Sequence, residues 1–128
     1  MKLTVLSGLQ GSGKSTMARA LASYTGSMLA EYDRIRERSK FHDAGMITLQ
    51  LQDLVSSYLD MGMDVVVDAC NLHEDDRKSF EQMARNYNAQ FTWVKLEASP
   101  EQCVERDAGR ADPVGKERIM AMAAGRVY

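Results

Sequence analysis

Gly8-Leu9-Gln10-Gly11-Ser12-Gly13-Lys14-Ser15-Thr16 fits the pattern G-x-x-x-x-G-K-[ST] in full. The chemistry of such a segment is phosphate binding. Gly8, Gly11 and Gly13, with Ser12 between the last two, let the backbone turn and aim its N–H groups into one concavity. A helix opening at Lys14 adds positive potential there. Lys14 is then placed to reach the β- and γ-phosphates, and the Ser15 hydroxyl, followed by Thr16, to hold Mg²⁺. The other reading is an incidental glycine turn. The short apolar run Leu3–Leu6 just before the loop, and helical spacing just after it, supply the context that phosphate binding requires. The motif points to ATP or another nucleoside triphosphate and leaves the second substrate open.

Asp68 follows Val65-Val66-Val67, a β-branched run that reads as a central strand ending in that aspartate. A carboxylate there suits the Mg²⁺ side of a triphosphate site, and a turn aspartate is the alternative. The next residue is Ala69 rather than glutamate, so a site built to activate water for hydrolysis is disfavoured. There is no N-K-x-D base-recognition motif. Asp112-Pro113-Val114-Gly115 matches D-x-x-G by letter but lies far past the central strand and reads as a helix start.

A phosphoryl transferase also needs a base for the acceptor hydroxyl, a clamp for the acceptor, and cationic help for the moving group. Asp33 follows the expected second strand, where it faces the phosphate site. Arg36 lies one helical turn on, able to clamp an acceptor phosphate or orient Asp33. A helix N-cap aspartate beside a solvated arginine fits the same letters. Arg34-Ile35-Arg36-Glu37-Arg38-Ser39-Lys40 carries four cations and one anion. Such a run is either a solvated face or, through Arg34, Arg36 and Arg38, a grip on a phosphodiester chain. Arg106 and Arg110 flank Asp107-Ala108-Gly109, which predicts a lid over about 106–113 that carries arginine to the γ-phosphate. Arg106 is equally a helix-end arginine satisfying the dipole, whereas Arg110 sits after the glycine, where no helix end needs it.

The elements that position these residues alternate between strand and helix. Strands are expected at Leu3–Leu6, Met28–Tyr32, Val65 to Asp68 and Phe91–Glu97. One helix runs from Lys14, with Met17, Leu21 and Tyr24 on its apolar side, and closes at Gly26. Ala44–Met61 is a long amphipathic helix through Ile47, Leu51, Leu54, Val55, Tyr58 and Leu59, stopped at Gly62. A further helix opens on Glu74, Asp75 and Asp76, which suit its dipole, and shows Phe80, Met83, Ala84 and Tyr87 on one face. Ser99-Pro100-Glu101-Gln102 starts another helix, and Asp112-Pro113 a last one to about Ala124. Connections this long imply parallel strands and right-handed crossovers. The expectation is an α/β fold: a four-stranded parallel sheet with helices on both faces and ligands at the carboxyl ends of the strands.

Composition agrees. The 128 residues suffice for a single domain over 1–128, with 45% hydrophobic and 27% charged residues. Sixteen basic residues against 18 acidic ones give a net charge of −2, which excludes coating nucleic acid by bulk charge but leaves room for a local grip on one end. Cys70 and Cys103 read as reduced, packed thiols, and no cysteine–histidine cluster has zinc spacing. No apolar run has membrane-spanning length and the segment before the glycine loop is too short for a signal peptide, so the cytoplasm is the expected compartment.

Taken in order, Gly8 to Thr16, Asp33-Arg34-Ile35-Arg36 as D-x-x-R, Val65 to Asn71, and Arg106 to Arg110 as R-x-x-x-R resemble the kinase domain of phage and bacterial polynucleotide 5′-kinases. The resemblance covers nearly the whole chain. It implies a P-loop kinase fold with an arginine-bearing lid, ATP as donor with Mg²⁺, and the 5′ ends of DNA or RNA as acceptor, in end repair. It further implies Asp33 as the general base for the 5′-hydroxyl, Arg36 on the phosphate of the terminal nucleotide, Arg110 on the transferring group and Arg106 against the donor. No D-x-D-x-T phosphatase motif accompanies these, so any end healing would be limited to phosphorylation. A compact kinase of this sort suits a phage. Two other functions share the residues: a small-molecule kinase acting on a nucleoside, sugar or antibiotic hydroxyl, and a nucleotide-binding module without turnover. The presence of an acceptor base argues against the last.

Overall fold

A computed structural model describes residues 1–8, 13–40, 43–70 and 73–96, with 101, 102, 105, 108 and 109 beyond them. The expected helix starts at Ser99-Pro100 and Asp112-Pro113, Cys103 and the proposed lid arginines lie outside the described residues. The elements are β1 (Lys2–Gly8), α1 (Lys14–Thr25), β2 (Met28–Glu31), α2 (Tyr32–Arg38), α3 (Ala44–Asp60), β3 (Val65–Cys70), α4 (Glu74–Asn86) and β4 (Gln90–Lys95). The four strands form one sheet in the order β2-β3-β1-β4, and every neighbouring pair is parallel.

The strand order explains where the helices lie. The β1-to-β2 crossover travels one way along the sheet, and the β2-to-β3 and β3-to-β4 crossovers travel the other. Right-handed connections therefore put α1 on one face and the later helices on the opposite face. Packing follows this division. Leu6 and Val66 meet Ala18 and Ala22 of α1. On the other face Val5, Val65 and Val67 meet Ile47, Leu51, Val55 and Leu59 of α3 and Phe80 and Ala84 of α4. Val65, Val66 and Val67 are buried on both faces, as a near-continuous β-branched run in a covered parallel sheet should be.

Three expectations change in detail. The buried stripe of α1 is Lys14, Ala18 and Ala22, whereas Met17 and Tyr24 are exposed, Tyr24 at 92%. Small side chains let the helix approach the sheet closely, so the alanines rather than the larger residues turn inward. The second strand ends at Glu31, and Tyr32 already belongs to α2 and is buried. Its aromatic ring has more apolar surface to bury beneath α3 than an edge strand would supply. The third strand, by contrast, runs past Asp68 through Ala69 to Cys70. The faces of α3 and α4 are as the periodicity predicts, with Leu54, Tyr58, Met83 and Tyr87 completing the larger core.

Among the described residues Phe80 is the largest fully buried side chain. Phe80→Ala should therefore cost about 3–5 kcal/mol of unfolding free energy. Urea denaturation followed by far-ultraviolet circular dichroism checks this; a loss below about 1 kcal/mol would mean that α4 does not anchor the core as described.

Candidate phosphoryl-transfer site

The site forms at the carboxyl ends of the strands. Register puts Asp68 of β3 between Leu6 of β1 and Glu31 of β2. Like Leu6 and Val66, Asp68 points to the α1 face, where Lys14 opens the helix. The Lys14 Nζ donates to Asp68 Oδ1, and the two side chains are only 3% and 4% exposed. A lysine and an aspartate buried to this degree are tolerable only as a pair, because each alone would carry its full desolvation cost. The expected phosphate lysine and the expected metal-side carboxylate are thus brought into contact across 54 residues of chain.

Gly13 precedes Lys14 as the cap of α1, with φ of 89°. A Cβ there would meet nothing within 4 Å. The requirement for glycine is therefore conformational, a left-handed turn that aims the first helical N–H groups outward. Ser15 is partly buried beside Lys14, and Thr16 is exposed. Leu9 to Ser12 lie outside the described residues, Gly11 among them.

Asp33 stands in the first turn of α2, two residues past the strand position paired with Asp68. It is not the N-cap, which is Glu31. Arg36 Nη2 lies 3.4 Å from Asp33 Oδ1, with both side chains about one-third exposed. A carboxylate that is reachable from solvent and steadied by a guanidinium is suited to accept a proton from an incoming hydroxyl and to position it. The fork of Arg36 keeps donors for an acceptor phosphate.

Glu31 is a residue that motif reasoning passed over. Its side chain is 10% exposed and pairs with two arginines, Arg19 Nη2 at 3.1 Å from α1 and Arg34 Nε at 3.5 Å from α2. It ties both helices to the end of β2 and so fixes the entry of α2, and with it Asp33. The available signal was an acidic residue closing the apolar run Met28-Leu29-Ala30 at a strand's carboxyl end. The basic run divides between two places. Arg36 pairs with Asp33, whereas Arg34, itself paired with Glu31, lines a groove between α2 and α3 together with Arg38 and Lys40. Arg106 and Arg110 lie outside the described residues.

Among the described residues no group of three or more His, Cys, Asp or Glu side chains could hold a metal ion, and no helix is long and apolar enough to cross a membrane. A family described as an AAA domain matches residues 3–127. The chain belongs to this family. No curated protein matches the AAA-domain chain in sequence. Solved structures match its fold. A chain of the Pnkp1/Rnl/Hen1 RNA repair complex is 24% identical with a TM-score of 0.79, covering 98% of this chain and 43% of its own length. A second structure of the Pnkp1/Rnl/Hen1 complex has a TM-score of 0.70 at 24% identity, over 82% of this chain and 38% of that one. The AAA-domain chain thus spans about two-fifths of the length of these relatives. The gluconokinase from Sinorhizobium meliloti 1021 gives a TM-score of 0.72 at 19% identity, over 99% of this chain and 75% of that one. The Mycobacterium tuberculosis APS kinase CysC, in complex with AMPPNP and APS, gives 0.69 at 18% identity, over 99% and 76%. The architecture is the P-loop kinase fold, an α/β fold with a four-stranded parallel sheet flanked by helices.

Proposed function

We propose that the chain, residues 1–128 acting as one kinase domain in the cytoplasm, transfers the γ-phosphoryl group of ATP to the 5′-hydroxyl end of DNA or RNA, in nucleic-acid end repair. The observation that carries this reading is the pairing of Asp33 with Arg36 at the same end of the sheet as the buried Lys14–Asp68 pair. One pair suits an acceptor that brings a hydroxyl and a phosphate together, and the other suits a triphosphate. Similarity to chains from an RNA repair complex supports the same acceptor.

In this reading Gly8 to Thr16 hold the donor and Lys14 neutralises its β- and γ-phosphates. Ser15 and Asp68 offer the hard oxygen donors that Mg²⁺ prefers. With no larger acidic cage among the described residues, the ion would take its remaining ligands from phosphates and water, as Mg²⁺ usually does. Mg²⁺ when bound supplies charge neutralisation across the phosphates. Arg36 holds the phosphate of the terminal nucleotide and so presents the 5′-hydroxyl to Asp33. Asp33 takes the hydroxyl proton as the oxygen forms its bond to the γ-phosphorus in line with the breaking bond to the β–γ bridging oxygen. The proposed lid over about 106–113 would carry Arg110 to the moving group and Arg106 to the donor nucleotide before transfer, and ADP leaves afterwards.

A small-molecule kinase is the second reading. It is favoured by how much more of the gluconokinase and APS kinase chains is covered, 75% and 76%, and by a net charge of −2. Salt separates the two. With a 5′-hydroxyl oligonucleotide, acceptor-dependent ADP release should fall steeply between 50 and 200 mM salt, because phosphate contacts release counterions. ADP release that depends on a sugar or nucleoside and is indifferent to salt would support the second reading instead.

A further inference from the structure

The donor half and the acceptor half of the site stand on different elements. Lys14 opens α1, and Asp33 lies in the first turn of α2. In-line transfer needs the two halves at a fixed separation, since a misplacement of about 1 Å can cost on the order of 100-fold in rate. α2 has only seven residues, too few to hold its own position. Its N-cap is Glu31, yet the Glu31 side chain makes no cap hydrogen bond.

That carboxylate is directed at two helices instead. Arg19 Nη2 of α1 donates to Glu31 Oε2 at 3.1 Å, and Arg34 Nε of α2 lies 3.5 Å from Glu31 Oε1. Register sets Glu31 directly beside Asp68, and neighbours on adjacent parallel strands share a face. Two carboxylates therefore stand side by side at the strand ends. Asp68 takes Lys14, and Glu31 takes Arg19, about 7.5 Å further along the axis of α1. Only Glu31 reaches on to α2 as well. It is 10% exposed, whereas Arg19 and Arg34 are 61% and 59% exposed. Pairs with such open arginines add little to stability. What a nearly buried carboxylate between them fixes is the placement of one helix against the other.

We propose that Glu31 is a positioning residue. By holding Arg19 of the donor helix and Arg34 of the acceptor helix at once, it sets where Asp33 stands relative to Lys14, and so aligns the acceptor hydroxyl with the γ-phosphorus. The inference rests on the reading of the chain as an ATP-dependent phosphoryl transferase and holds for either class of acceptor.

Two variants test this, Glu31→Ala and Arg19→Ala. Arg19 belongs to neither the donor set nor the acceptor set, and its exposure makes its loss harmless to folding. The readouts are kcat and acceptor KM with labelled ATP, ATP affinity by calorimetry, and the urea midpoint. The acceptor is a 5′-hydroxyl oligonucleotide or, if that takes no label, the member of a nucleoside and sugar panel that does. Each variant should lower kcat on the order of tenfold or more, with acceptor KM and ATP affinity within about twofold of wild type. Glu31→Gln, which keeps shape and a hydrogen-bond acceptor, should recover most of the rate. In an Asp33→Asn background the loss caused by Glu31→Ala should shrink to about threefold or less, because residues acting as a unit are not additive. A kcat near wild type in Arg19→Ala and Glu31→Ala, or the same loss with Asp33 and without it, overturns the proposal. If wild type labels no acceptor at all, the transferase reading itself has failed. The bridge is then judged by hydrogen–deuterium exchange. Exchange of the α2 amides on the order of tenfold faster in both variants, with α4 unchanged, upholds it, and equal exchange overturns it.

Discussion

Asp33→Ala should lower phosphoryl transfer by about 10²–10⁴-fold, the usual contribution of a positioned general base, and leave ATP binding near its wild-type strength. The separation follows from where Asp33 stands. It belongs to α2 and pairs with Arg36, whereas the proposed donor residues belong to β1, α1 and β3 and the loop between the first two. Asp33→Asn is the sharper variant, since it keeps shape and hydrogen bonding and removes only the ability to take a proton. Single-turnover transfer and ATP titration by calorimetry read the two halves. Near-normal turnover in Asp33→Asn would take the base role from this residue. Loss of ATP binding would mean that Asp33 supports the donor pocket instead.

The second large effect is expected at Lys14. Lys14→Met removes the cation proposed for the β- and γ-phosphates and leaves Asp68 as a buried, uncompensated charge in the central strand. Breaking a buried pair from one side costs about 3–5 kcal/mol, so this variant should both unfold at lower urea and bind ATP weakly. The double variant Lys14→Met/Asp68→Asn separates the effects. It removes the orphaned charge, so stability should return toward wild type while ATP binding stays lost. Recovery of both, or of neither, would contradict the roles assigned to the pair.

Much of the frame was legible because local and tertiary demands agree. Val65-Val66-Val67 reads as a covered strand and is one. The apolar stripes from Ile47 to Leu59 and from Phe80 to Tyr87 predict the faces that α3 and α4 bury. The reading slipped where tertiary packing outweighs residue type. In α1 the approach to the sheet selects Ala18 and Ala22 over Met17 and Tyr24. At the end of β2, the core beneath α3 takes Tyr32 into α2. In the site, the P-loop lysine and Asp68 were recognisable one by one, because a motif and a strand end mark them. Their contact was not, since it depends on the β1–β3 register. Glu31 escaped because its importance comes from arginines on two different helices. Of the run Arg34 to Lys40, Arg34, Arg38 and Lys40 line one groove while Arg36 stands beside Asp33, a division that letters in a row do not reveal because a helix distributes residues around its circumference.

The central claim is best tested by following label from γ-labelled ATP, with Mg²⁺ present, into a 5′-hydroxyl oligonucleotide and its 5′-phosphate counterpart, for wild type and Asp33→Ala. The account predicts label on the 5′-hydroxyl strand alone, lost in the variant. Label on a sugar or nucleoside with none on either strand would contradict it, and would place the activity among small-molecule kinases of the same fold.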